Sequence, residues 1–179
     1  CFGCRSATLL HPLVMMCGMA NVSIGGLVEQ LMEWSDSDVD EHVRTLELER
    51  RRIEAELALT VGEVDRRRSY LEDGHRSLTA YLRATCNWSD AEAARIGRLT
   101  AVAADVPGLA DALHEGRIGA PQANALAVAH TNRRVRDLLS EFAPMLLDQA
   151  ERLSFREFRT CVKRFVTLAD AVQWREITG

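Results

Sequence analysis

Residues 87–95 read Asn87-Trp88-Ser89-Asp90-Ala91-Glu92-Ala93-Ala94-Arg95, and this run decides the fold. A serine followed three residues later by glutamate is a capping box. The hydroxyl accepts one of the orphan N–H groups that open a helix, and the carboxylate reaches back for another. Trp88, just before the cap, is placed to staple onto the second turn. The residues that follow are rich in alanine and free of β-branched runs, so the spacing predicts a helix to about residue 104.

The same punctuation continues on both sides. Downstream, Pro107 is expected to start a short helix that Gly116 ends, and Pro121 to start another running to about His130. Asn132 caps a helix carrying Val135, Leu138, Leu139 and Phe142. Pro144 kinks or restarts it, and Met145 to Leu153 continues. Ser154-Phe155-Arg156-Glu157 is a second capping box, opening a helix with Phe155, Phe158, Val162, Phe165 and Ala169 on one side. Upstream, a short helix follows Ser77 with Leu78, Tyr81 and Leu82 inward, after a turn over residues 70–74. Ile24, Leu27, Val28, Leu31 and Met32 form a stripe weakened by Gly25-Gly26. Ser35-Asp36-Ser37-Asp38 reads as a loop that ends in an N-cap.

The longest element is expected over residues 39–67, about 45 Å at 1.5 Å per residue. Val43, Leu46, Ile53, Leu57 and Val64 fall on one face, with Arg50 and Thr60 filling the missing positions. Such a face either lies on its own domain's core or pairs with a second helix, including that of a second subunit. Glu47, Glu49, Glu54 and Glu56 stand three or four residues from the arginines at 50–52, which predicts ion pairs along this helix. No stretch alternates with period two. The fold class is therefore all-α, a single multi-helix domain of seven to nine helices with one long N-terminal helix, over residues 21–171.

Composition agrees. The chain has 179 residues, 47% of them apolar and only 6% aromatic, enough for a close-packed helical core. The net charge of −4 excludes a global basic field. Basic residues cluster instead at 50–52, 66–68, 133–136 and 152–164, and all but Lys163 are arginine. Arginine suits phosphate and carboxylate contacts, although a GC-rich genome accounts for abundant Arg and Ala as simply. Five cysteines are too few for a disulfide scaffold. Cys86 and Cys161 are expected as small buried apolar residues, and the compartment as reducing and cytoplasmic.

Residues 1–20 are read apart, as a leader arising from upstream read-through or a mis-set start, with the protein beginning near Met19. Cys1, Cys4, His11 and Cys17 have a spacing that matches no common zinc finger. The apolar run near Leu9 is too short to span a membrane and is interrupted by Pro12.

Several ordered motifs carry a resemblance. Leu46-Glu47-Leu48-Glu49-Arg50-Arg51-Arg52-Ile53 is followed by Asp73-Gly74-His75-Arg76-Ser77, Trp88-Ser89, Leu113-x-x-Gly116-Arg117-Ile118 and Leu153-Ser154-Phe155-Arg156-Glu157-Phe158. Over residues 39–171 the chain resembles the actinobacterial helical family called domain of unknown function 222, which includes the mycobacterial 13E12 repeat proteins. The resemblance implies association with a C-terminal HNH endonuclease domain. After Ala171 only residues 172–179 remain, read as a tail or the start of a missing domain, so nuclease activity does not carry over to this chain.

No P-loop, dinucleotide-binding, zinc-protease or nucleophile-elbow motif is present. His75, His114 and His130 stand alone in turn or helix contexts. No catalytic, cofactor-binding or metal-binding residue is assigned, and no cofactor, small-molecule substrate or membrane partner is expected. The expected function is a non-catalytic helical interaction or dimerisation module, pairing through Val43, Leu46, Ile53, Leu57 and Val64. The alternative is a DNA-binding or targeting domain of a nuclease or mobile-element protein. The short helices joined by tight turns are similar to a helix-turn-helix assembly. In that reading Gln122 and Asn124 reach base edges, while Arg76, Arg83, Arg95, Arg98, Arg133, Arg134 and Arg136 contact phosphates. A truncated remnant is the second alternative.

Overall fold

The computed structural model describes the backbone of residues 24–178 and the side chains through residue 171. The expectations for residues 1–20 lie outside the residues so described, and of residues 172–178 only the backbone is described, as the end of the last helix. Among the described residues there are nine α-helices, one 3₁₀ turn and no strand, as the all-α reading requires. In chain order they are α1 (Ile24–Glu33), α2 (Asp36–Arg67), α3 (Leu78–Cys86), α4 (Asp90–Asp105), α5 (Leu109–His114), α6 (Ala120–His130), α7 (Arg133–Glu141), α8 (Ala143–Arg152) and α9 (Phe155–Thr178); the 3₁₀ turn is Ser69–Leu71.

Two compact units divide the chain between Thr45 and Leu46. In the first, α1 has no buried residue. Helix α2 begins three residues earlier than expected because Ser35 and Asp38 form a capping box of their own. Ser35 Oγ donates to Asp38 Oδ2 at 2.6 Å, the Ser35 N–H donates to the same oxygen at 3.1 Å, and the Asp38 N–H donates back to Ser35 Oγ at 3.3 Å. These bonds hold the Asp38 carboxyl below its ordinary range. Val43 is exposed.

In the second unit α6 sits at the centre. Its apolar residues are spread around the helix rather than along one stripe, the pattern of a helix contacted on several sides. Ala120, Ala123, Leu126, Ala127, Ala129 and His130 are all buried. It packs on α4, α5, α7 and α9, and its alanines allow those helices to approach closely. Phe158 of α9, Ile96 and Leu99 of α4, and Leu139 and Leu146 of α7 and α8 fill the spaces between.

Caps fix the helix starts. Ser89 Oγ accepts the Glu92 N–H at 3.2 Å, and Ser77 Oγ accepts the Ala80 N–H at 3.2 Å. Only half of the first expected capping box forms, because the Glu92 carboxylate binds the Arg95 guanidinium at 2.8 and 2.9 Å instead of reaching back. The second is complete: Glu157 Oε2 accepts the Ser154 N–H at 3.1 Å while the Glu157 N–H donates to Ser154 Oγ at 3.4 Å. Asn132 Oδ1 accepts the Arg134 N–H at 3.1 Å and caps α7 as expected.

The long helix corrects the sequence reading. Its core face is Glu54, Ala55, Ala58 and Val61, about a quarter turn around from the stripe of larger residues. Leu46 and Ile53 are 50% and 63% exposed, and Leu57 and Val64 are only half-buried. The reason is proximity. Thr100 Oγ1 donates to the Ala58 carbonyl at 3.2 Å, and a Cβ on Gly62 would come within 3.3 Å of Thr100 Cγ2. Small residues let α2 come that near to α4; leucine or isoleucine on that line would hold it away. Of the expected ion pairs, those of Glu47 and Glu54 form, with Arg50 and Arg51 on Glu47 at 2.8 and 3.0 Å and Arg50 on Glu54 at 3.1 Å, whereas Glu56 meets His114 instead. Arg50 above all, and then Arg51, hold the Glu47 carboxyl down to about 2 against the opposing effect of burial.

Two further expectations fail. Cys86 is exposed, at the last turn of α3, rather than buried; Cys161 is half-buried. His130 does not stand alone: it is buried, with Nε2 2.7 Å from Asp105 Oδ2.

Candidate functional site

Helix α9 is positioned from both ends of its inner face. The Ser154–Glu157 box fixes its first turn, and Phe158, Val162 and Ala169 are buried, with Phe165 and Val166 packed partly against the core. At 3.6 residues per turn this leaves an outward face carrying Arg156, Arg159, Thr160, Lys163, Arg164 and Thr167, all exposed. The face spans about 16 Å along the helix axis.

The four cations of this face are unpaired. Among the described residues none of the Arg156, Arg159, Lys163 or Arg164 side chains makes a hydrogen bond or an ion pair. Thr160 and Thr167 turn their hydroxyls back to the carbonyls of Arg156 and Lys163, each at 3.0 Å. The carboxylates nearest in sequence are engaged elsewhere. Glu157 is bound by Ser154, whose side-chain and backbone hydrogen bonds lower its pKa. Asp170, where the face ends, accepts both bonds of the Asn132 amide at 3.1 and 3.2 Å.

Other basic clusters differ. Arg66 and Arg67 both bind Glu63 at 2.6 Å. Arg117 binds Glu115 and Glu151, and Arg152 binds Asp148 at 2.7 Å. Pairs of this kind neutralise their cations locally. Helix α9 leaves a local positive field on a chain whose net charge is −4.

Grooves flank the basic face on both sides. One, of about 720 Å³, runs between α6 and α9, with Asn124, Ala125, Val128, Phe155 and Val166 in its walls and Arg159 and Lys163 at its edge. The other, of about 710 Å³, lies between α8 and α9 and is lined by Met145, Leu153, Cys161, Phe165 and Leu168. The Asn124 amide carries a buried Oδ1 with no hydrogen-bond partner.

The phosphate contacts expected from sequence are not gathered on one face. Arg76 is exposed in the turn before α3. Arg83 is paired to Asp90 at 2.9 Å. Arg95, only 25% exposed, lies between Glu92 and Glu54 at 2.8 and 3.4 Å. Its strongest partner is Glu92, and this network raises its pKa further. Arg98 and Arg136 are half-buried, each with a buried Nε that has no partner. Arg133 and Arg134 are exposed on the first turn of α7. Gln122 and Asn124 are half-buried on α6, and of these two Asn124 lines the groove beside α9. Arg156, Arg159, Lys163 and Arg164, which form the exposed basic face, were not among the contacts expected from sequence. Their signal was present in the spacing i, i+3, i+7, i+8, with only Glu157 among them as a counter-charge.

Among the described residues no group of three or more His, Cys, Asp or Glu side chains is placed to hold a metal ion, and no helix is long and apolar enough to cross a membrane. No family model, no curated protein and no solved structure matches the chain.

Proposed function

We propose that this chain is a non-catalytic helical binding module that holds the phosphodiester backbone of a nucleic acid against the outer face of α9. The observation that carries this reading is the set of four cations on one exposed helix face, none of them neutralised by a neighbouring side chain. Guanidinium groups match phosphate oxygens bidentately. A face whose cations form no ion pair has none to give up when it meets an anion. This is the targeting role left open by the sequence, moved from the α3, α4 and α7 arginines to α9.

The test is fluorescence anisotropy of the full chain with a labelled single strand of DNA across a salt series. With all four cations on phosphates, log K should fall against log salt with a slope near −3, from about −0.7 per contact on a single strand. Replacing Arg159 and Lys163 by alanine should weaken binding and reduce the slope by about 1.4. Absence of binding at low salt, or an unchanged slope in the double variant, overturns the reading.

A second reading rests on a separate observation. Leu46 and Ile53 stand exposed on α2 instead of facing the core, as a helix that pairs with a second copy of itself would have them. It makes the module self-associating and is compatible with the first.

A further inference from the structure

We infer that the groove between α6 and α9 takes an unpaired base of a single-stranded nucleic acid whose backbone lies along the basic face of α9. The inference rests on the reading of α9 just given and narrows it to single strands. Arg159 and Lys163 belong to both features: they stand on the exposed face and also form the edge of the groove. A phosphate held by them therefore brings its own nucleoside to the groove mouth.

The groove suits a planar, mostly apolar group with polar edges. Its volume of about 720 Å³ falls within the range of small-ligand sites. Val128 of α6 and Val166 of α9 supply apolar wall. Phe155 lies one turn before Arg159 on α9 and is 42% exposed, so its ring offers a stacking surface on the side that carries the guanidinium. Asn124, in the groove wall, carries a buried Oδ1 acceptor without a partner, the kind of group that pairs with a base N–H. Cationic side chains that track the backbone, beside an aromatic on which a base stacks, are the two elements of single-strand recognition. In a duplex the bases are stacked and paired, and none is free to enter.

Three ligands separate this inference from the reading beneath it: a labelled oligothymidylate, an abasic strand of the same length, and a duplex. The full chain should bind oligothymidylate roughly tenfold more tightly than the abasic strand, the order of affinity that one stacked base contributes. Phe155→Ala should remove that preference and leave abasic binding unchanged, with helicity by circular dichroism as the check on folding. Equal affinity for the base-bearing and abasic strands overturns the groove and leaves the backbone reading intact. So does tighter binding of the duplex than of oligothymidylate, or an equal loss on both single strands in Phe155→Ala. Failure of all three ligands to bind at low salt removes the backbone reading itself.

Discussion

Gly116 offers the sharpest test of how residues 46–67 of α2 are held within the second unit. It follows α5 with φ +76°, in the left-handed region, and its N–H donates to the Leu113 carbonyl at 3.1 Å. Its own carbonyl accepts Arg51 Nη1 of α2 at 2.9 Å. A Cβ here would overlap Leu48 Cδ1, with Leu48 Cγ at 3.5 Å. Gly116→Ala therefore carries two costs. A non-glycine residue in the left-handed region costs about 1–2 kcal/mol. Displacing Leu48, which is half-buried, forfeits part of its transfer energy, about 1 kcal/mol. The sum is about 2–3 kcal/mol, which lowers Tm by roughly 4–12 °C for a domain of this size. Urea denaturation followed by circular dichroism measures it, and a cycle with Leu48→Ala divides it. With Leu48 truncated, only the backbone cost of about 1–2 kcal/mol should remain. A single variant within about 0.5 kcal/mol of the parent, the usual range for an uninvolved surface site, would refute the strain argument. An equal cost in both backgrounds would refute the contact with Leu48.

Two further outcomes follow from α2. The Glu47 carboxyl is held down to about 2 from an ordinary value near 4.5, first by Arg50. A depressed folded-state pKa contributes stability above about pH 4.5 that is lost as pH falls towards 2. Stability in urea melts should therefore be level from neutral to about pH 5 and decline below it, with Glu47→Gln making the decline shallower; an unchanged decline in the variant removes Glu47 as a source. For the self-association reading, Ile53→Asp should convert a dimer to a monomer by light scattering, and a parent chain that is already monomeric at high concentration rules the pairing out.

The helix punctuation was legible because capping is local chemistry. Ser89, Asn132, Ser154 and Gly116 act on backbone groups within a few residues, so one sequence contains all the information needed. The orientation of α2 was not legible, because it depends on the distance to another helix. Periodicity ranks residues by hydrophobicity and picks Leu46, Ile53 and Leu57. Packing against α4 selects by size and picks Ala55, Ala58 and Gly62. The two criteria point to different sides of the same helix, and nothing within residues 39–67 says that Thr100 lies close enough to make size decisive.

The site was obscured for a related reason. An arginine's availability depends on which carboxylates the fold brings to it. Arg95 looks free in sequence apart from Glu92, yet the fold adds Glu54, 41 positions away. On α9 the fold gives Arg156, Arg159, Lys163 and Arg164 no such partner: Glu157 is held by Ser154, and Asp170 by Asn132 at the N-cap of α7. Asp170, seven residues past Lys163 on the same helix, keeps its charge in this contact, because the amide that binds it is neutral. The Asn132 amide does two things at once: its oxygen caps α7, and its nitrogen ties that cap to Asp170 of α9. Asn132→Ala should accordingly cost both the α7 cap and the tie to α9, about 1 kcal/mol each, read as a lower midpoint in urea denaturation, and a variant as stable as the parent would refute both contacts.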